Sequence, residues 1–409
     1  GFAGEGEVLV YMVGVTDERF AEVVQNGDAV SVDGDGDALE LRVMAVKRSQ
    51  RRVTCEVVSG GVLGTNKKVT VLGRHHEREE LPAADRVDIA TFAGVSCVDV
   101  FVLPHAQRTA TIELARGLIQ RHTPEGMSSA LVFAKMDNLS AVQNIENIIA
   151  TCDGLVVERE ALNAVLGPLN SQAAIDKAVA FCKKHRKPLI EGSFAMPSLM
   201  SEPPHPASSD VAILSGIHGG GWDAMTLTNE TALGKNPDSA AEVVRDALRH
   251  LSMQCPRLAA AHEGPVGPTA RSELDSISRS VFELAEVTSA RAIISLPLSV
   301  SSWRTADKLH SGVCSSVFAL PSILCGLPSR IPVIVVTDDA RMSSRCRLFR
   351  GFHGFLFSKK SKRPPNYEKL AKDVIAELLR DNHFKPGDNF IIFTEDPSRL
   401  EFTLRRLTS

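Results

Sequence analysis

Thr226-Leu-Thr-Asn-Glu-Thr-Ala-Leu-Gly-Lys-Asn-Pro237 decides how the rest of this chain is read. It starts inside the apolar run 224–228 and continues into a helical stretch, so it reads as a strand end turning into a helix. Upstream, the same alternation recurs at 98–102, 131–134, 154–157 and 188–190, each apolar run followed by a helical stretch. Five such βα units in series call for parallel strands. A helix over 139–149 puts Val142, Ile145 and Ile149 on one stripe, and one over 173–182 does the same for Ile175, Val179 and Cys182. Both stripes are shaped to pack on the wall of a parallel sheet.

The flanks follow other periods. Residues 1 to about 75 read as short strands at 8–12, 29–32, 38–45 and 53–58, broken by Asp33-Gly-Asp-Gly-Asp37 and Ser59-Gly-Gly61, a small all-β module. The Asp-Gly repeat lacks the glutamate and flanking helices of a calcium loop and is read as a hairpin turn. Beyond Gly264-Pro-Val-Gly-Pro268, a helix over 272–286 and strands at 291–295, 332–336, 354–357 and 389–393 predict a separate doubly wound α/β domain. The expected division is a β domain over 1–80, a βα region over 81–262 and an α/β domain over 263–409. Lys359-Lys-Ser-Lys-Arg363 is read as a solvated loop. Ile217-His-Gly-Gly-Gly-Trp222 lacks the Lys-Ser/Thr of a phosphate loop and is read as a flexible helix-to-strand connection.

Composition narrows the function classes. The 409 residues are 44% apolar, enough for more than one core, and 46 basic against 49 acidic side chains leave a formal charge of -3. That balance gives no drive toward nucleic acid or an anionic membrane. No apolar run approaches the length of about 20 residues that spans a bilayer. The acidic, Gly-rich opening is unlike a secretory signal, and the absent initiator Met suggests a processed start. Eight cysteines with no C-x-x-C pair indicate neither a zinc site nor a disulfide framework. An intracellular, cytoplasmic location is expected, with a processed organellar protein as the other possibility.

The motifs converge on one family. The opening stretch resembles the Leu-Ser-Gly-Glu-Thr-Ala-x-Gly-x-Tyr-Pro signature of pyruvate kinase, with Thr228, Glu230 and Thr231 on its polar positions. Ser59-Gly-Gly-Val-Leu-Gly-Thr-Asn-Lys-Lys68 resembles the Gly-Gly-x-Leu-Gly-x-Lys-Lys turn of that family's lid domain. Phe133-Ala-Lys-Met-Asp-Asn138, Cys152-Asp-Gly-Leu-Val-Val157, Ile331-Pro-Val-Ile-Val-Val-Thr337 and Leu348-Phe-Arg-Gly351 match further family motifs in order. The resemblance implies a partial or completed TIM-type (β/α)8 barrel, a small β-barrel lid domain and a C-terminal doubly wound α/β domain. It also implies chemistry at the C-terminal ends of the barrel strands. There Lys135 falls on the lysine that neutralises the migrating phosphoryl group, and Asp137 on the glutamate that holds the divalent metal.

The departures are as informative. The family's Ala-Arg-Gly-Asp-Leu-Gly reads here Glu158-Arg-Glu-Ala-Leu-Asn163, so Arg159 is kept, Glu160 stands for a glycine and Ala161 for the second metal-binding carboxylate. Glu160 is expected to obstruct and repel a polyanion, and Ala161 to weaken magnesium binding. Ser193 stands for a threonine hydroxyl. Pro104-His-Ala-Gln107 replaces Ser-Phe-Val-Arg, and His105 is read as a satisfied surface histidine with no carboxylate near it. The family's first three barrel strands have no counterpart, and five strands do not close a barrel, so an upstream segment or a different polypeptide is expected to complete it. The sugar-phosphate loop aligns with Pro297-Leu-Ser-Val-Ser-Ser302, retaining Ser299 and Ser302 but no cation. The apolar segment 317–327 is read as core or partner contact. The expectation is a pyruvate kinase-like protein without catalysis, a structural or interaction subunit in a homo-oligomer or larger hetero-assembly, needing no cofactor. The alternative is an active enzyme that uses magnesium and potassium to pass the phosphoryl group of phosphoenolpyruvate to ADP. Phosphoenolpyruvate, ADP and ATP are its candidate ligands.

Overall fold

The computed structural model describes residues 11–17, 19–32, 39–65, 67, 69–72, 81–95, 97–125, 127, 129–192, 196–200, 205–254, 273–297, 331–337, 340–356, 367–380, 384–396 and 401–408. The Asp33–Asp37 turn, the 264–268 junction, the 317–327 segment, the Lys359–Arg363 run and residues 8–10 of the first expected strand lie outside them. Two compact units emerge: Gly1–Arg78 with Asn163–Pro168, and Glu79–Leu162 with Leu169–Ser409.

The first unit holds a four-stranded antiparallel sheet of β1 (Ala29–Val32), β2 (Leu39–Lys47), β3 (Arg52–Ser59) and β4 (Val69–Val71), in the order β3-β2-β1-β4. Its apolar face buries Val24, Val30, Val32, Leu39 and Val43. Alternation along β1, with Val30 and Val32 inward and Ala29 and Ser31 less buried, is what one covered face dictates. Tyr11 and Met12, expected in a strand, belong to none and are exposed, having no strand to pair with among the described residues.

The second unit contains two five-stranded sheets. The first consists of β5 (Val100–Leu103), β6 (Leu131–Met136), β7 (Gly154–Val157), β8 (Leu189–Glu191) and β9 (Ala224–Met225), all parallel and adjacent in chain order. Sequential parallel order without reversal is the winding of a βα barrel. Leu131–Ala134 of β6 are buried without alternation, as a strand covered on both faces requires. The expected helix 139–149 is instead two, Leu139–Gln143 and Ile145–Thr151. They are divided at Asn144, whose amide side chain donates 3.0 Å to the Gln107 carbonyl. The strand expected over 224–228 stops at Met225, because the Thr228 carbonyl already accepts from the Thr231 and Ala232 amides of the next helix. The glycine run at 217–221 is largely the end of helix Ser208–Gly219, and only Gly221, at φ 82, turns the chain toward β9.

The second sheet comprises β10 (Ala292–Pro297), β11 (Val333–Thr337), β12 (Phe352–Leu356), β13 (Asn389–Asp396) and β14 (Glu401–Thr408), in the order β12-β11-β10-β13-β14. The order reverses at β10, which makes it doubly wound. β14, unassigned from sequence, is an antiparallel edge strand. One face packs Ile294, Val336 and Phe390 on helix Tyr367–Arg380 through Leu370, Val374 and Leu378. The other joins Ile293 and Val335 to Val281, Phe282, Met342 and Phe349, and this core continues into Leu131, Phe133 and Val156 of the first sheet.

Candidate functional site

The C-terminal ends of β5 to β8 gather most of the expected site residues. On β6, Lys135 lies opposite Val156 of β7. Side chains two apart on a strand share a face, so Glu158, just past β7, reaches the lysine. Its Oε1 lies 2.6 Å from the Lys135 Nζ, with both side chains mostly buried. Glu158 is fixed by its own backbone: its amide donates to the Met136 carbonyl at 3.1 Å, and its carbonyl accepts from the Leu162 amide at 3.0 Å.

Asp137, one residue beyond β6, is 7% exposed and fully engaged. Its Oδ2 takes the His105 Nδ1 at 2.9 Å and the His105 backbone amide at 3.2 Å, and its Oδ1 accepts from the Asn138 side chain at 2.8 Å. Asn138 in turn caps the next helix, its Oδ1 accepting from the Ala141 amide at 2.9 Å. Burial alone would raise the pKa of Asp137, but the hydrogen bonds and charge of His105, with the Asn138 amide, bring it below the ordinary carboxylate value. His105 is therefore no isolated surface histidine. It sits at φ 56, a left-handed conformation that histidine adopts more readily than most residues, and this turn aims both of its donors at one oxygen.

Arg159 opens helix Arg159–Leu166 and is engaged by the chain's own side chains. Its guanidinium bonds Glu191 Oε2 at 2.9 Å and Gln172 Oε1 at 2.8 Å and lies 6.0 Å from the Trp222 ring centroid. Glu191 is wholly buried, and burial raises its carboxyl above the usual range, with Arg159 pulling it down and Glu158 adding a little upward. Ala161 is buried within the same helix, while Glu160 is exposed on its first turn, where a negative charge suits the helix dipole. At the end of β9 the Thr231 hydroxyl donates 3.2 Å to the Thr228 carbonyl, closing the turn of the opening motif. Ser193, Ser299, Ser302 and the Glu230 side chain lie outside the described residues.

Thus Lys135, Asp137, Arg159 and Ala161 are gathered at neighbouring strand ends, and two residues not counted among the expected site residues, His105 and Glu158, hold the first two. A signal existed: Glu158 lies two residues beyond Val156, the partner of Lys135, and so on the same face of the sheet as that partner.

The family model for "Pyruvate kinase, barrel domain" matches residues 5–241. The chain belongs to the pyruvate kinase family. It is 25% identical over 393 residues to the pyruvate kinase of Corynebacterium efficiens, covering 94% of this chain and 73% of that one. Pyruvate kinase 2 of Synechocystis is 24% identical over 379 residues, covering 92% of this chain but only 58% of its own length. Among solved structures, Cryptosporidium parvum pyruvate kinase in complex with ADP superposes with a TM-score of 0.76 at 19% identity, over 96% of this chain and 74% of that one. This likeness supports the fold, a βα barrel with an α/β domain.

Proposed function

We propose that this member of the pyruvate kinase family is non-catalytic and serves as a structural or interaction subunit, in a homo-oligomer or a larger assembly inside the cell. One observation carries the reading. Both charged groups at inherited catalytic positions are bound by the chain's own side chains, Lys135 by Glu158 and Asp137 by His105 and Asn138.

Phosphoryl transfer depends on positioning and on uncompensated positive charge near the migrating group. A lysine already paired at 2.6 Å supplies little of that charge. Magnesium is tested by the same atoms. Asp137 has donors on both oxygens, Ala161 offers a methyl group, and among the described residues no group of three or more His, Cys, Asp or Glu is placed to hold a metal ion. The described residues do not fit magnesium, and no step through it is assigned to this site.

The deciding experiment is a coupled assay for pyruvate with ADP, phosphoenolpyruvate, magnesium and potassium. The expected result is no rate above background. Turnover within the ordinary range of about 1 to 1,000 per second overturns the reading.

A further inference from the structure

We propose that the outer edge of β3 is a docking strand for a second copy of this chain, the two edges pairing antiparallel about a two-fold axis at Thr54. This contact rests on the non-catalytic reading proposed above and gives that subunit role one defined interface.

The edge is open and regular. β3 ends the sheet order β3-β2-β1-β4, so no described strand pairs with its outer side. An unpaired edge is a template for another chain, and β3 carries no lysine or proline to block one. The chain turns at Arg51, at φ 48, and Val58 is an extra residue against β2, where Leu41 pairs with Val57 and Glu40 with Ser59. Between those two points the side chains alternate. Arg52, Thr54 and Glu56 are exposed on one face, and Val53 and Cys55 are half-buried against the core on the other. The extra residue of the second irregularity, Met44, lies on β2 and leaves β3 regular.

Charge chooses the partner. Arg52 lies across from Lys47 of β2, a like charge, and Glu56 lies across from Arg42 without forming an ion pair among the described residues. Four positions apart on one strand, Arg52 and Glu56 are separated by about 13 Å and do not reach each other. A second β3 turned about Thr54 sets each Arg52 directly opposite the partner's Glu56, twice by symmetry, and Thr54 opposite its own counterpart. On the other face it sets Val53 against Cys55, both already beside the core, so the apolar stripe runs on from one copy into the next.

Neighbouring registers lose this match. An axis at Cys55 puts Arg52 against Val58 and Glu56 against Thr54, an axis at Glu56 puts two carboxylates together, and one at Val53 leaves Glu56 against Gln50 in the turn. One short strand from each copy buries less than the interface of about 1,600 Å² typical of a stable complex, so the dimer is weak and concentration-dependent.

The test is analytical ultracentrifugation of the full chain from about 5 to 500 μM, where wild type is expected to associate reversibly. Arg52→Glu and Glu56→Arg are each expected to weaken association at least about tenfold, because each replaces two attractive pairs by two repulsive ones. The double variant restores the pairs in reverse and is expected to return to within about threefold of wild type. Thr54→Cys reads the register: opposite Cα atoms lie about 5 Å apart, so oxidised glutathione is expected to convert the two thiols into a disulfide between copies, found by mass spectrometry as a peptide joined through position 54. A monomeric wild type overturns the proposal, as do single variants that associate like wild type, a double variant no better than the singles, or no cross-link at position 54. Should a charge reversal not fold by circular dichroism, Arg52→Gln and Glu56→Gln are compared instead, each expected to weaken association about threefold. If these also fail to fold, both side chains are needed within the monomer, which overturns the contact. A monomeric wild type silent in the pyruvate assay removes this contact and leaves the non-catalytic reading intact. Wild-type turnover removes that reading instead.

Discussion

Asp137 and His105 show how one residue's chemistry is redirected without changing its place in the fold. A non-glycine residue at φ 56 costs of order 1 kcal/mol in backbone strain. The two donors that this turn directs at one carboxylate oxygen offset that cost. Because the pKa of Asp137 is lowered from 3.8 in the folded state, the stability it contributes is present above that value and is lost as pH falls through the lower folded value. His105→Ala is therefore expected to lower unfolding free energy near neutral pH by about 1.5–3 kcal/mol, the usual range for a hydrogen bond to a charged group. In urea denaturation the deficit should shrink once the pH is taken below 3.8. His105→Gly should lose about 1 kcal/mol less than His105→Ala, since glycine carries no left-handed penalty. A deficit of equal size at neutral and acid pH would show that strain, and not the Asp137 contact, governs the turn.

At the scale of elements, the parallel sheet explains both what composition reveals and what it hides. Gly154 on β7 lies opposite Phe133 on β6, and a Cβ at 154 would fall on the Phe133 ring. Gly154→Ala is expected to destabilise by about 1–3 kcal/mol, the range for overpacking a filled core, with Phe133→Leu restoring part of the loss. Chemical denaturation of the two single variants and the double variant measures this; additive losses would show that the ring does not set the glycine. The same regularity makes the strands legible. β7 runs over the residues its apolar run gives, and β6, β8, β10 and β11 differ by a residue or two, because strands buried on both faces write themselves as unbroken apolar runs. β14 is hidden because Glu401–Thr408 carries Glu and Arg residues among its apolar ones, as an edge strand can. The break at Asn144 is hidden because it depends on a carbonyl 37 residues away. In the site, residues matched to family motifs were legible from sequence, whereas the contacts of His105 and Glu158 were not. Those depend on which side chain meets which across neighbouring strands, and spacing along the chain does not encode that.

Across the whole second unit, the two sheets are joined by arginines that follow β11. Arg345, almost wholly buried, donates to the Ser129 carbonyl, and Arg341 donates 3.0 Å to the Val95 carbonyl. Arg350 reaches the His218 carbonyl and its Nε2. Burial and then the Arg350 charge keep this imidazole below its ordinary value. Between them lies Asp223, which accepts from the Leu189 amide at 2.9 Å and the Arg350 amide at 3.2 Å, with the Lys183 charge nearby. Burial dominates and pushes the Asp223 carboxyl up to about 6, despite those amides and cations. For an acid raised in the folded state, the protonated form is the better fit to the fold. Its contribution is therefore complete below the unfolded value of 3.8 and is lost as pH rises toward 6. The loss amounts to about 2–3 kcal/mol over that window. His218, lowered from 6.5, acts in the opposite sense, and its contribution grows as pH rises toward that value. Asp223→Asn should abolish the decline between pH 3.8 and 6 and leave the His218 rise, which urea denaturation at closely spaced pH values can resolve. If wild type and Asp223→Asn give parallel curves through that window, the carboxyl at the joint between the sheets is already ionised at acid pH, and the cations around it outweigh its burial.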